Sequence, residues 1–114
     1  MANIYKNSKL DLTAATATTL YTVPSNSRSI VKSILVSSDS GSATTVTVDL
    51  FAGDPASAAK FTLFKVKAVA ANASEQLLTE PLIMLENEVL QVTAADANRL
   101  FVVASILEIN REDR

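Results

Sequence analysis

The sequence predicts an all-β domain, and three observations favour this class. Apolar and polar residues alternate with a period of two in several short runs, as in strands with one buried and one solvated face. Turn-forming residues interrupt these runs at intervals typical of a β-sandwich or barrel. The alanine-rich stretches 14–17 and 66–73 lack a sustained helical period and contain β-branched residues. We therefore expect a single antiparallel sandwich of about eight strands.

Turn signals separate the strands of the first half. The run Pro-Ser-Asn at 24–26 lies between an expected strand at 18–23 and another at 29–37. The polar run at 39–42, which contains a glycine, is typical of a hairpin leading into a strand at 44–51.

Alternation is clearest within the expected strand at 44–51. Val46, Val48 and Leu50 alternate with Thr and Asp residues, so these three side chains are expected to face a core. By the same alternation, Asp49 is expected to face solvent.

The second half is punctuated in the same way and ends in an apolar run. A longer loop is expected at 53–59, and further breaks at Pro81, 86–87 and 96–98. Residues 100–109 are apolar on both faces of an extended chain. This last strand is therefore expected to be central, and covered on both sides by a second sheet or by a neighbouring subunit.

The chain divides into an expected N-terminal arm at 1–12, a β-sandwich domain at 13–109 and a charged tail at 110–114. The arm mixes polar and apolar residues, so it either contacts a partner or forms a disordered start. The candidate partner contacts are its apolar side chains Ile4, Tyr5 and Leu10.

Composition excludes several kinds of chemistry. The chain contains no histidine and no cysteine, which excludes Ser-His-Asp and Cys-His catalysis, His-ligated metals and disulfides. We therefore expect no enzyme activity, no cofactor and no small-molecule substrate. Ten basic and twelve acidic residues give a net charge of −2, so no nucleic-acid partner is expected. No apolar run approaches the ~20 residues of a membrane span, so no membrane partner is expected either.

Carboxylates are the remaining candidates for chemistry. Glu86 and Glu88 lie two residues apart beside a turn, but a glycosidase pair would also need an aromatic-lined cleft. Asp39, Asp54 and Asp96 lie in expected loops without the spacing of a calcium-binding loop. We interpret all five as solvated or turn-forming residues.

Several segments carry a resemblance to a known class of protein. They are Leu-Tyr-Thr-Val-Pro at 20–24, the strand at 28–36 with its turn at 38–43 and the strand at 45–48, and the pair of segments at 81–85 and 88–92. Together they resemble small virion proteins of tailed bacteriophages. Many of those proteins carry Gly-Asp in the acidic turn, where this chain has Asn87 and Glu88. Asparagine also tolerates a positive φ, so the departure leaves the expected fold intact.

The resemblance covers about 13–109 and implies a jelly-roll or immunoglobulin-like sandwich that assembles as a symmetric oligomer. The leading hypothesis is a capsid decoration (cement) protein, a trimer bound to the major capsid protein at the capsid surface of the virion after synthesis in the host cytoplasm. A neck, tail or baseplate accessory subunit is the alternative. A host-surface carbohydrate-binding module is the second alternative, against which the absence of tryptophan counts.

Overall fold

The computed structural model of the chain describes residues 2–110. These residues form nine β-strands and no helix, so this part of the chain holds no helix that could cross a membrane. The expected all-β sandwich is confirmed, with one strand more than expected. The strands are β1 (Ala2–Leu12), β2 (Thr18–Thr22), β3 (Ser27–Ser38), β4 (Thr44–Phe51), β5 (Lys60–Val69), β6 (Ser74–Gln76), β7 (Leu82–Met84), β8 (Val89–Ala94) and β9 (Leu100–Asn110).

The strands form two antiparallel sheets with jelly-roll connectivity. The first sheet has the order β1-β9-β3, and both β6 and β7 pair with the far side of β3. The second sheet has the order β2-β8-β4-β5. The chain alternates between the sheets from β1 to β4, and its second half returns beside the first, which is the jelly-roll form of the sandwich.

Strand β9 is central, as the sequence predicts, because it pairs with β1 on one side and β3 on the other. Leu100, Val102, Ala104 and Ile106 alternate along it and are buried against the second sheet. The residues between them are exposed or half-buried. Thus the second sheet covers one face of β9, and the described chain leaves the other face open.

The core forms between the two sheets, where alternating side chains from both inner faces meet. Val46 and Val48 are fully buried there, as expected, and Leu50 is half-buried and packs against the core. The expectation that Asp49 faces solvent is wrong, because this residue is only 8% exposed. Its carboxylate accepts a hydrogen bond of 2.7 Å from the hydroxyl of Thr62 on β5, which satisfies this buried polar group.

The expected N-terminal arm is part of the first sheet. Residues 2–12, expected to form an arm, are strand β1 and pair with β9 from Ala2 to Leu12. At the other end, Asn110 is the last residue of β9, and residues 111–114 of the expected tail lie outside the described residues.

Asparagines shape the turns. Asn26, Asn72, Asn87 and Asn98 all adopt a positive φ of 53–67°, a region that asparagine tolerates better than most residues. The value of 67° at Asn87 agrees with the expectation that asparagine can replace glycine in the acidic turn.

Candidate interaction surface

An apolar row crosses the outer face of the first sheet. Tyr5 of β1 lies opposite Leu107 of β9, which lies opposite Ile30 of β3, which lies opposite Ile83 of β7. Residues opposite each other in antiparallel strands point to the same face, so the four side chains form one continuous row. Tyr5 is 76% exposed and Ile83 is 64% exposed, while the two central residues are half-buried.

Further apolar residues extend this row along β9. Val103 lies opposite Leu35 of β3, and both are half-buried on the outer face. Ile109 is also half-buried, and Phe101 is 39% exposed. A polar stripe of Asn7, Ser105 and Ser33, which lie opposite one another, separates the row from Val103 and Leu35. Single exposed apolar residues are common, whereas several on one face are typical of an interaction surface. We call this group, from Tyr5 to Ile83 together with its extensions on β9 and Leu35, the outer apolar face.

Basic side chains predominate around the outer apolar face. Lys9 lies opposite Val103, and Arg28 lies opposite Ile109, so both point outward. Lys32 is exposed at the register shift of β3, and Asp11, opposite Phe101, is the acidic residue of this group. A surface that complements this one would therefore combine apolar side chains with acidic ones.

A shallow depression of about 340 Å³ lies beside the apolar row. Its lining combines two lysines with small, polar and apolar residues: Tyr5, Lys6, Asn7, Lys32, Ser105 and Ile106. The ammonium, hydroxyl and amide groups of this lining suit contact with a partner's side chains.

A polar cluster lies between the sheets at one end of the core. The hydroxyl of Tyr21 on β2 donates a hydrogen bond of 2.6 Å to the Glu108 carboxylate on β9, and it lies 2.6 Å from the Ser29 hydroxyl on β3. The Lys6 Nζ lies 3.4 Å from the same carboxylate and 5.8 Å from the centre of the Tyr21 ring. The cluster thus joins three strands of the first sheet to one of the second.

Burial keeps the Tyr21 hydroxyl in its donating form. Desolvation, followed by the hydrogen bond to Glu108, raises the pKa of Tyr21 well above its usual value, and the hydrogen bond from Ser29 acts in the opposite direction. Nearby, the Ser27 hydroxyl is buried and has no hydrogen-bond partner among the described residues. The cluster crosslinks the two sheets, because the Tyr21 hydroxyl of the second sheet bonds Glu108 and Ser29 of the first.

This cluster was not predicted from the sequence, although the sequence contains an indication of it. Glu108 occupies the same phase of β9 as Ala104 and Ile106, so alternation alone would place a carboxylate in the core. A buried carboxylate requires a partner, and Tyr21 and Lys6 supply it.

The structure separates the three candidate partner contacts. Tyr5 belongs to the outer apolar face, whereas Ile4 lies opposite Glu108 on the inner face and is 44% exposed at the end of the sandwich. Leu10 packs against the core. Hence Tyr5 alone of the three lies on the open face.

The carboxylates that the sequence singled out bind the backbone of turns. Glu86 accepts a hydrogen bond from the Asn26 amide, and Glu88 accepts one from the Leu85 amide, both at 2.8 Å. Asp54 accepts a bond from the Ala56 amide. This is the turn-forming role that their positions indicate.

The remaining two aspartates lie near one end of the sandwich. Asp96 accepts a hydrogen bond of 2.7 Å from the Thr44 hydroxyl and lies 3.5 Å from the Arg99 guanidinium. Asp39 is exposed. Across residues 2–110, no group of three acidic side chains is placed to hold a metal ion.

Comparison with known proteins gives fold relatives and no sequence relatives. No protein-family model and no curated protein sequence matches the chain. A chain in the structure of infectious bursal disease virus, Gx strain, is 9% identical with a TM-score of 0.53; the match covers 97% of this chain and 30% of that one. A chain of the virus-like particle of extra small virus from the giant freshwater prawn Macrobrachium rosenbergii is 14% identical with a TM-score of 0.52, and the match covers 99% of this chain and 82% of that one.

This chain thus spans less than a third of the first relative's length and most of the second's. Identities this low carry no information about particular residues. What these likenesses establish is the architecture: the chain has a jelly-roll β-sandwich similar to those of chains in two virus structures.

Proposed function

We propose that the protein is a non-enzymatic structural protein of a virus particle, and specifically a bacteriophage capsid decoration (cement) protein. In this role it lies on the capsid surface and stabilises contacts between major capsid subunits, after synthesis in the host cytoplasm. The observation that carries the proposal is the outer apolar face, which the monomer leaves open although the core is already complete. The likeness of the jelly roll to chains in virus structures supports the same proposal.

The outer face has the dimensions of a stable interface. Three adjacent strands about 4.8 Å apart, each about 11 residues long at about 3.3 Å per residue, present with the short β6 and β7 roughly 600 Å². Two such surfaces in contact bury about 1,200 Å², which is at the lower end of the range of specific protein–protein interfaces. Burial of apolar area stabilises such a contact by roughly 25 cal/mol per Å², less the cost of association.

Cementing requires this kind of contact and no reaction. A sheet face that carries apolar and basic side chains binds by burial and charge complementarity, and it can span the boundary between two neighbouring subunits. A trimer would place three such faces around a symmetry point of the shell. The trimer remains a prediction from the resemblance.

The proposal is tested by measuring whether the purified protein binds to shells of the cognate virus that lack it. Purified protein is added to the shells, and both the bound amount and the temperature of shell disruption are measured. We expect saturable binding and a raised disruption temperature. Protein that ignores shells but binds isolated tails or connectors would favour the neck or tail alternative, and specific glycan binding would favour the carbohydrate-binding one.

A matched pair of variants tests whether the outer apolar face makes the contact. Ile83→Asp places a charge in the apolar row, on a side chain that is 64% exposed, so the fold should persist. Thr93→Asp places the same charge on the second sheet, on a half-buried residue of β8. We expect shell affinity to fall at least about tenfold for the first variant, since a charge becomes desolvated without a partner, and to change little for the second. Equal binding by both variants would contradict the proposal.

A further inference from the structure

The four sheet edges of the molecule are not equally protected against pairing with another chain. Strand β5 has two register shifts against β4, with Val66 at a φ of 52°, and β2 has five residues with one shift. Strands β6 and β7 have three residues each. By contrast, β1 pairs with β9 over 11 residues without a shift. Bulges and short length are the usual devices that prevent edge-to-edge pairing, and β1 has neither.

Charge does not protect this edge either. Lysines on an edge strand commonly oppose pairing, but the Lys6 ammonium turns inward to Glu108, at 3.4 Å. Lys9 points to the outer face of the sheet, as its position opposite Val103 indicates. The strand contains no proline. In the described part of the chain, no strand pairs with β1 on the side away from β9.

We propose that β1 pairs with β1 of a second copy of this chain, antiparallel, about a two-fold axis that passes through Asn7. This is the register that uses the whole strand, because it sets Ala2 of one copy opposite Leu12 of the other. The two first sheets then join into one continuous sheet across the dimer. Such a contact is isologous, so every pair of residues occurs twice except the pair on the axis.

Side chains on the outer face complement each other in this register. Tyr5 of one copy lies opposite Lys9 of the second copy, a pairing of an aromatic ring with a cation. Asn3 lies opposite Asp11 of the second copy, where its amide can donate to the carboxylate. Asn7 lies opposite itself across the axis, and two amides can exchange hydrogen bonds.

The inner face is complementary as well. Ile4, which is 44% exposed in the monomer, lies opposite Leu10 of the second copy and becomes covered. Lys6 lies opposite Ser8 of the second copy, which separates the two Lys6 ammonium groups from each other.

Neighbouring registers lose these pairings. An axis through Lys6 would set the two Lys6 residues directly opposite each other, and like charges in that position are destabilising. An axis through Ser8 would replace the Tyr5–Lys9 pair by Tyr5 opposite Asp11 and would shorten the overlap. The axis through Asn7 thus combines the longest overlap with the best complementarity.

The contact is largely separate from the proposed shell contact, because its backbone hydrogen bonds lie at the β1 edge and Tyr5 is the one residue of the outer apolar face that it uses. It is also compatible with a threefold contact elsewhere on the molecule. Alone it gives a dimer, and together with a trimer contact it gives a hexamer. In either case its loss halves the mass of the assembly.

A charge swap on the axis tests the proposal by sedimentation equilibrium. Asn7→Lys and Asn7→Asp each place two like charges opposite each other, so the association constant should fall by about tenfold or more in each variant. An equimolar mixture of the two should regain the wild-type mass, because the charges then attract. Asn7 is exposed, so both variants should fold, which circular dichroism checks. Ser42→Lys and Ser42→Asp, at an exposed loop residue, are the matched controls and should leave the mass unchanged.

Single cysteines test the register, since the chain contains no other cysteine. Residues directly opposite each other in antiparallel strands have Cβ atoms about 4.5–5.5 Å apart, so Asn7→Cys should form a disulfide between copies on mild oxidation. Lys9→Cys alone should not, whereas a mixture of Tyr5→Cys and Lys9→Cys should form a crosslinked heterodimer. The proposal is overturned by a monomeric or purely trimeric wild type, by unchanged mass in both Asn7 charge variants, or by crosslinking of Lys9→Cys with itself. Shell binding does not enter these readouts, so the two proposals fail separately.

Discussion

The outer faces of the two sheets differ, although both sheets share one core. On the first sheet, Ile30, Leu107 and Ile83 form an apolar row across three strands. On the second sheet, Thr47 and Thr93 lie opposite each other at outward positions, and the apolar pair in the same phase, Phe51 and Val89, is buried. The core requires only the inner faces to be apolar. The core therefore does not require the exposed part of the outer apolar face, and its chemistry suits a partner.

The largest loss of stability is expected from a substitution in the core that both sheets share. Ile106 of β9 is 1% exposed and faces the second sheet. Ile106→Asp buries a charge without a partner, and we expect it to cost more than about 4 kcal/mol and to prevent folding. Circular dichroism of the purified variant is the measurement. A folded variant of normal stability would show that β9 does not form the centre of the core.

A substitution on the opposite face of the same strand tests whether this face serves binding more than stability. Val103 is half-buried on the outer face, so Val103→Asp should unfold with a free energy only about 1–2 kcal/mol lower than wild type. Its shell binding should fall at least about tenfold, as for Ile83→Asp. Urea unfolding and shell binding measure the two effects. Thr93→Asp, on the outer face of the second sheet, is the control, and unfolding of Val103→Asp at 25 °C would place Val103 in the core instead.

The link between the two sheets gives the next largest effect. Tyr21→Phe removes the hydroxyl that bonds Glu108 and Ser29, so we expect the free energy of unfolding to fall by about 1–3 kcal/mol at neutral pH. Shell binding should be unaffected, since the cluster lies inside the sandwich. Urea unfolding with a shell-binding assay checks both statements, and a stability equal to wild type would contradict the crosslink.

Because the pKa of Tyr21 is raised in the folded state, the stability difference between wild type and Tyr21→Phe depends on pH. The unfolded chain ionises a tyrosine near pH 10, whereas the folded chain retains the proton to higher pH. The contribution is therefore complete below about pH 10 and is lost as the pH rises above it. We expect the stability difference between wild type and Tyr21→Phe to shrink between pH 8 and pH 11. A constant difference across this range would show that the folded tyrosine titrates normally.

The smallest effect is expected at the acidic turn. Glu86→Gln together with Glu88→Gln keeps an oxygen at each position that can accept the backbone hydrogen bonds of Asn26 and Leu85. Stability should change by less than about 1 kcal/mol and shell binding should not change. Complete loss of function in the double variant would return the acid pair to consideration as a chemical site.

Local patterns in the sequence were sufficient to predict much of the fold. The alternation of Val46 with Val48 gave the inner face of β4, and the apolar run at 100–109 gave a central strand. The turn at Asn87 was also recognisable from residue type. These features depend on period and turn chemistry, which act over a few residues.

Other features were not predictable in this way because they depend on distant residues. Asp49 is buried since Thr62 on the neighbouring strand satisfies its carboxylate. Residues 2–12 resembled a polar arm, and pairing with β9, about a hundred residues later in the chain, makes them a strand. The sheet register is also needed to show that Tyr5, and not Ile4 or Leu10, belongs to the outer apolar face.

By itself, the sequence determined the all-β class, the positions of most turns and the absence of histidine and cysteine chemistry. These follow from composition and from local periodicity. The tertiary structure alone decided that the sandwich is a jelly roll, that Tyr21 reaches Glu108, and that Tyr5, Leu107, Ile30 and Ile83 form one row. Each of these brings together residues from strands far apart in the chain, and their juxtaposition is set by strand order and register, which local periodicity leaves open.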